Sequence, residues 1–156
     1  MDTKYTTVLN SIQTVDQRES FLDAIDVILE ERYMVKGNVE ETIRKKISNS
    51  SSKIILALLS KHKEIYGDTS KFDHFLKDVR SYLAGLPTIL LQVPYDFTGK
   101  DTSEIYSWFS TNVKKKIVLD IQHEQSLLGG CVIETNGMHK DYSIKNAVVR
   151  YFAPTK

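Results

Sequence analysis

Residues 129–142 read Gly129-Gly130-Cys131-Val132-Ile133-Glu134-Thr135-Asn136-Gly137-Met138-His139-Lys140-Asp141-Tyr142. Asn136-Gly137 is a strong two-residue hairpin signal, because both positions tolerate positive φ. Residues 129–135 then form one strand, and Met138 to Tyr142 its short return. The glycine pair lacks the third glycine of a dinucleotide fingerprint and enters a strand rather than a helix, so it predicts a sharp reversal or bulge. Ser143 can cap a terminal helix carrying Ile144, Ala147, Val148 and Tyr151.

Upstream, Lys116 to Ile121 reads as another strand. A short helix starting near Asp101 and Thr102 and bearing Ile105, Trp108 and Phe109 precedes it. Before that, Pro87 to Val93 is a continuous apolar run, which suits a strand buried on both faces. The order is strand, helix, strand, strand, strand, helix, the pattern of a small sheet with helices packed on it. All three prolines and five of the seven glycines lie at or after Gly85. Residues before that point read as helices. Phe21, Leu22, Ile25, Ile28 and Leu29 make an apolar stripe that should end near Gly37. Asn38 caps a helix with Val39, Ile43 and Ile47 on one face. Ser52 to Ile65 is apolar on most sides and reads as a central helix. Phe72, Phe75, Leu76, Val79 and Leu83 mark a last helix that stops at Gly85. The fold class is therefore α+β, with a helical bundle over 1–85 and a small mixed α/β domain with a β-hairpin over 86–156.

The chain has 156 residues, 41% of them hydrophobic and 26% charged, which fits an ordinary folded globule. With Lys+Arg 21 against Asp+Glu 20, the formal charge of +1 gives no global attraction to nucleic acid or anionic lipid. No apolar run approaches the roughly 20 residues needed to span a bilayer, so no membrane insertion is expected. One cysteine rules out an internal disulfide framework. The N-terminus lacks a signal-peptide pattern, which points to the cytoplasm.

Chemistry signals are sparse. Gly99-Lys100-Asp101-Thr102 is like the end of a phosphate loop, yet Pro94 stands where the first glycine is needed and Asp101 would repel a phosphate. His123, Cys131 and His139, with Glu124, fit no compact zinc spacing, and no metal or cofactor is expected. Ser126 lacks the flanking glycines of a nucleophile elbow, so no catalytic residue is assigned. Lys114 to Lys116 and Arg44 to Lys46 are short basic runs that read as solvated faces or strand-edge gatekeepers rather than a nucleic-acid groove.

The stretch from Pro87 to Phe152 resembles the C-terminal half of the ATP synthase delta subunit, the oligomycin sensitivity-conferring protein family. Glu124-Gln125-Ser126-Leu127-Leu128-Gly129-Gly130, an apolar strand, Asn136-Gly137, and Asp141-Tyr142-Ser143-Ile144-Lys145 carry the likeness. The family's pattern is similar to Asp-Pro-Ser-Leu-Ile-Gly-Gly, a strand, a glycine turn, then Asp-x-Ser-Ile/Val-Arg/Lys. Glu124 and Gln125 replace its usual Asp and Pro, and the helical half is short for the family. On physical grounds the motif is structural. Leu127 and Leu128 anchor a corner in the core, the glycines permit the turn, and Asp141 and Ser143 satisfy amides at the last helix.

The resemblance implies a non-catalytic peripheral-stalk subunit of an F-type ATP synthase, held at the inner face of the cell membrane through the complex. Its partners would be N-terminal helices of the head's alpha subunits and the C-terminus of the stalk's b subunit. Tyr5, Val8, Leu9 and Ile12 on the first helix are the candidate partner-helix groove, with simple core packing as the alternative. A connector of this kind also predicts an open apolar patch on the helical half.

Overall fold

The computed structural model describes residues 10–34, 43, 45–47, 49–61 and 69–152. The fold is α+β, with helices and a four-stranded mixed sheet. It divides into two compact units: Met1–Ile12 with Asp16–Leu86, and Gln13–Val15 with Pro87–Lys156.

In the first unit the described helices are α1 (Val15–Met34), α2 (Asn49–Lys61) and α3 (Thr69–Ala84). The stripe on α3 is fully used: Phe72, Phe75, Leu76, Val79 and Leu83 are all buried. On α1, Phe21, Ala24, Ile25 and Ile28 are buried, while Leu22 and Leu29 are half-buried. Ile55 and Leu58 carry the core contribution of α2, and Ile54 and Leu56 are only half-buried, so its cover is less complete than its composition suggests. Ser51 and Ser52 are buried at the start of α2. The Ser51 hydroxyl lies 3.4 Å from that of Ser20, a link between small side chains of α1 and α2. Arg80 on α3 forks onto Asp26 of α1, Nε donating to Oδ1 at 2.8 Å and Nη2 to Oδ2 at 3.1 Å. Ile43 and Ile47 are buried as their spacing requires, but Gly37, Asn38, Val39 and Gly67 lie outside the described residues.

The second unit runs β1 (Thr88–Val93), α4 (Gly99–Val113), β2 (Val118–His123), a 3-10 turn (Gln125–Leu127), β3 (Val132–Thr135), β4 (Met138–Asp141) and α5 (Ile144–Phe152). The strand order is β2-β1-β3-β4. The β1–α4–β2 crossover makes a parallel pair from Thr88↔Val118 to Val93↔His123. Strand β3 joins β1 antiparallel, and the β3–β4 hairpin closes at Thr135↔Met138. Both turn residues have positive φ, 48° at Asn136 and 76° at Gly137. On β1, buried Ile89, Leu91 and Val93 alternate with half-buried Thr88, Leu90 and Gln92. One face of the central strand is thus fully covered, not both.

Helix α4 lays Tyr106 and Phe109 on Ile89, Ile117 and Leu119. Trp108 is exposed; Tyr106 occupies the inward position instead. The helix begins earlier than Asp101. Thr98 is the N-cap, and Thr98 and Asp101 form a reciprocal capping box. Lys114 takes the left-handed C-cap, and the Lys116 ammonium sits 4.7 Å over the Tyr106 ring, so two of the three lysines in that basic run have local structural roles.

A segment from before α1 completes the sheet. Thr14 bridges Leu119 in parallel, and the Leu119 amide donates to the Gln13 carbonyl at 2.9 Å. At the other end, α5 does not pack on the sheet as the element order suggests. None of its residues is buried.

Candidate functional site

The residues that carry the family likeness come together where β2 ends and α5 begins. The Glu124 amide donates to the Val93 carbonyl at 2.7 Å, fixing the exit from the sheet. Its carboxylate accepts the Ser126 amide at 3.0 Å and so caps the 3-10 turn. Leu127 is buried and anchors the corner. Leu128 does not: it is 74% exposed, in a left-handed conformation with φ 63°. A leucine in that region costs on the order of 1–2 kcal/mol, which the next two residues explain.

Gly129 and Gly130 lie against the start of α5. A Cβ on Gly129 would stand 2.4 Å from Cδ1 of Ile144. One on Gly130, where φ is +75°, would stand 2.3 Å from the Tyr142 carbonyl oxygen. The missing side chains allow the Ile144 amide to donate to the Gly129 carbonyl at 2.9 Å and the Tyr142 amide to that of Cys131 at 2.8 Å. Leu128 turns left-handed because the chain must reverse onto this contact. Asp141 Oδ1 accepts the Ser143 amide at 2.8 Å. The buried Ser143 hydroxyl accepts the Asn146 amide at 3.1 Å, and Asn146 Nδ2 donates to the Asp141 carbonyl at 3.2 Å. The Ile144 and Asn146 amides in the first turn of α5 are thereby satisfied.

The electrostatics follow from these bonds. Donation from Ser126 holds the Glu124 carboxyl below the ordinary glutamate range, with smaller help from Lys145 and His123. Donation from Ser143 does the same for Asp141, helped by His139 and Arg150. The Cys131 thiol is pushed up, first by burial and then by Asp141, which disfavours the thiolate a nucleophile needs. His123 is engaged at both nitrogens, Nδ1 at 2.9 Å from Asp96 and Nε2 at 3.1 Å from the Pro94 carbonyl. His139 lies 3.9 Å from Glu134. Among the described residues no group of three or more His, Cys, Asp or Glu side chains could hold a metal ion. Asp101 of the phosphate-loop-like segment accepts the Thr98 amide and hydroxyl, and those bonds favour its charged form.

The groove residues fare differently. Tyr5, Val8 and Leu9 lie outside the described residues, and Ile12 is buried. Ile12 borders a cleft of about 220 Å³ with Ser20 and Ser51. A neighbouring cleft of about 430 Å³ is lined by Asp16, Glu19, Asp23 and Lys46 together with Ala24, Val27 and Ile47. Among the described residues every large apolar side chain that is exposed lies in the second unit, and the exposed patch seen there is not the one expected on the helical half. It comprises chiefly Leu128, Tyr142 and the α5 residues Ile144, Val148, Val149, Tyr151 and Phe152. From the sequence alone Leu128 and α5 read as covered. Their apolar pattern is visible there, but periodicity does not say whether an apolar face meets the protein's own core or a partner.

No known protein family matches this chain, and no curated protein matches it. No described helix is long and apolar enough to cross a membrane.

Proposed function

We propose that this chain is a non-catalytic peripheral-stalk subunit of an F-type ATP synthase, an N-terminal helical bundle followed by a small α/β domain. In this role it joins N-terminal helices of the head's alpha subunits to the C-terminus of the stalk's b subunit. It would sit at the cytoplasmic face of the membrane through the complex and perform no turnover. The observation that carries the reading is the corner. Of the motif residues on which the family likeness rests, Ser126, Leu127, Gly129, Gly130, Asp141 and Ser143 each have a physical task in one compact turn, and Leu128 is the exception, exposed rather than anchored. Helix capture suits a protein with an apolar face left open.

The test is a titration of the purified chain against two synthetic peptides from the same organism. One is the N-terminal segment of the alpha subunit, the other the C-terminal segment of the b subunit. Binding of both at 1:1 with added helicity supports the connector. Binding of the stalk peptide alone restricts the role to the stalk contact. Binding of neither overturns the reading and leaves an unrelated helical adaptor.

A further inference from the structure

We propose that His123 is a pH-operated clasp: as the imidazolium it holds the β1–α4 loop, residues 94–98, to the end of β2, and on losing a proton it lets the Asp96 part of that loop go. His123 is the last residue of β2, in register with Val93, the last of β1. The loop that leaves β1 therefore starts beside the imidazole. Nε2 lies 3.1 Å from the Pro94 carbonyl oxygen, and Nδ1 lies 2.9 Å from an Asp96 carboxylate oxygen. Between the two gripped residues stands Tyr95, 56% exposed, its ring 5.4 Å from that of Phe97. Upstream, β1 is fixed by its ladder, and downstream Thr98 is fixed as the N-cap of α4. His123 grips the stretch between them. The clasp is independent of the stalk role.

The two partners demand the charged ring. A peptide carbonyl and an ionised carboxylate only accept hydrogen bonds. A neutral imidazole has one N–H, and its other nitrogen carries a lone pair that would face an oxygen lone pair at these distances. The imidazolium carries an N–H at each nitrogen and suits both partners. With the neutral ring protonated at Nε2, the Pro94 bond survives and Asp96, whose side chain is 89% exposed, turns to water. Histidine is the side chain whose charge changes between about pH 5 and 8. The contact is thus whole in acid and lost as pH rises, the opposite sign to the Asp141 cap. Asp96 on the loop and Glu124 next in the chain both face the ring, and the His123 charge helps to hold the Glu124 carboxyl down. Lys145 of α5 acts on Glu124 as well, and β1 beside the ring carries no ionisable side chain. Protonation of one ring is thereby felt both by the loop and by the corner.

The isotopically labelled full chain is titrated by NMR from about pH 5 to about pH 9, following the His123 ring nitrogens and the loop amides. The Tyr95, Asp96 and Phe97 amides should shift with the midpoint of the His123 ring and gain fast backbone motion above it, while the Ile89 and Leu91 amides of β1 hold still. His123→Gln should remove the pH response of the three loop amides. Asp96→Asn is the sharper variant. A side-chain amide can donate to a bare ring nitrogen or accept from a protonated one, so the loop should stay held throughout the titration although His123 still changes charge. Both positions are exposed, so the variants should keep the parent fold, seen in unchanged signals from β1 and α4. Loop amides that titrate with a midpoint other than that of His123, or equal motion on both sides of it, would overturn the clasp. A full response kept in the Asp96→Asn variant would overturn it too, because the amides would then only be sensing the ring's charge through space.

Discussion

Gly130 shows how much one missing Cβ can decide. Its φ of +75° is accessible to other residues at a cost, but the carbonyl oxygen 2.3 Å from its would-be Cβ is backbone and cannot rotate away. Gly130→Ala should therefore cost about 2 kcal/mol or more, read from the urea midpoint. Gly129 is different, because the atom it meets is the end of the Ile144 side chain, which is half exposed. Gly129→Ala should cost less, and Ile144→Ala should relieve most of it in a double-mutant cycle. Asp141 makes a pH prediction. Its folded-state pKa is lowered by the Ser143 donors, so the folded chain binds that proton less readily than the unfolded one. The resulting stability is whole above the unfolded value of about 3.9 and is lost as pH falls through the folded value. The stability gap between the parent and Asp141→Asn should be constant near neutrality and shrink below about pH 4. Both glycines and both capping residues are legible from the sequence as a turn and a cap. The exposure of Leu128 is not, since its neighbours Leu127 and Gly129 fit a buried anchor equally well.

Elements are legible where a stripe is long and its cap is local. The apolar row from Phe72 to Leu83 predicts α3 and its buried face without tertiary knowledge. The start of α4 is harder to place, because Asp101-Thr102 has the look of a cap, although Thr98 with Asp101 three residues on is the stronger signature. Thr98→Ala should cost about 1 kcal/mol, measured by thermal or urea unfolding. The inward face of α4 is ambiguous between Tyr106 and Trp108, which stand beside Phe109 at three residues and one. Only the sheet beneath decides it, by offering Ile89, Ile117 and Leu119 to Tyr106 and Phe109. The contrast between α5 and β2 gives a paired prediction. Val149→Asp on α5 should change stability by less than about 0.5 kcal/mol, because the side chain is 62% exposed. Leu119→Ala, fully buried on β2, should cost about 2–5 kcal/mol.

The whole molecule adds an interleaving that no local pattern contains. Linear reading divides the chain near Gly85, where proline and glycine usage changes. The contacts place Gln13–Val15 with the second unit as well. That segment has no strand signature of its own: a bridge at Thr14 and an amide bond from Leu119 to Gln13 join it to the β2 edge, and the Ser103 hydroxyl donates to the Gln13 side chain at 3.3 Å. Such a pairing depends on the position of β2, which local propensity at 13–15 does not contain. It also covers a sheet edge that would otherwise present unpaired backbone groups. Residues 87–156 alone should consequently unfold at lower urea than the same unit within the full chain. Hydrogen exchange at the Leu119 amide should be faster in the fragment and slow again when a peptide of residues 10–16 is supplied. Equal stability of the fragment and of the unit in the full chain, with unchanged exchange at Leu119, would show that the added segment is an ornament and that the second unit is complete from Pro87 onward.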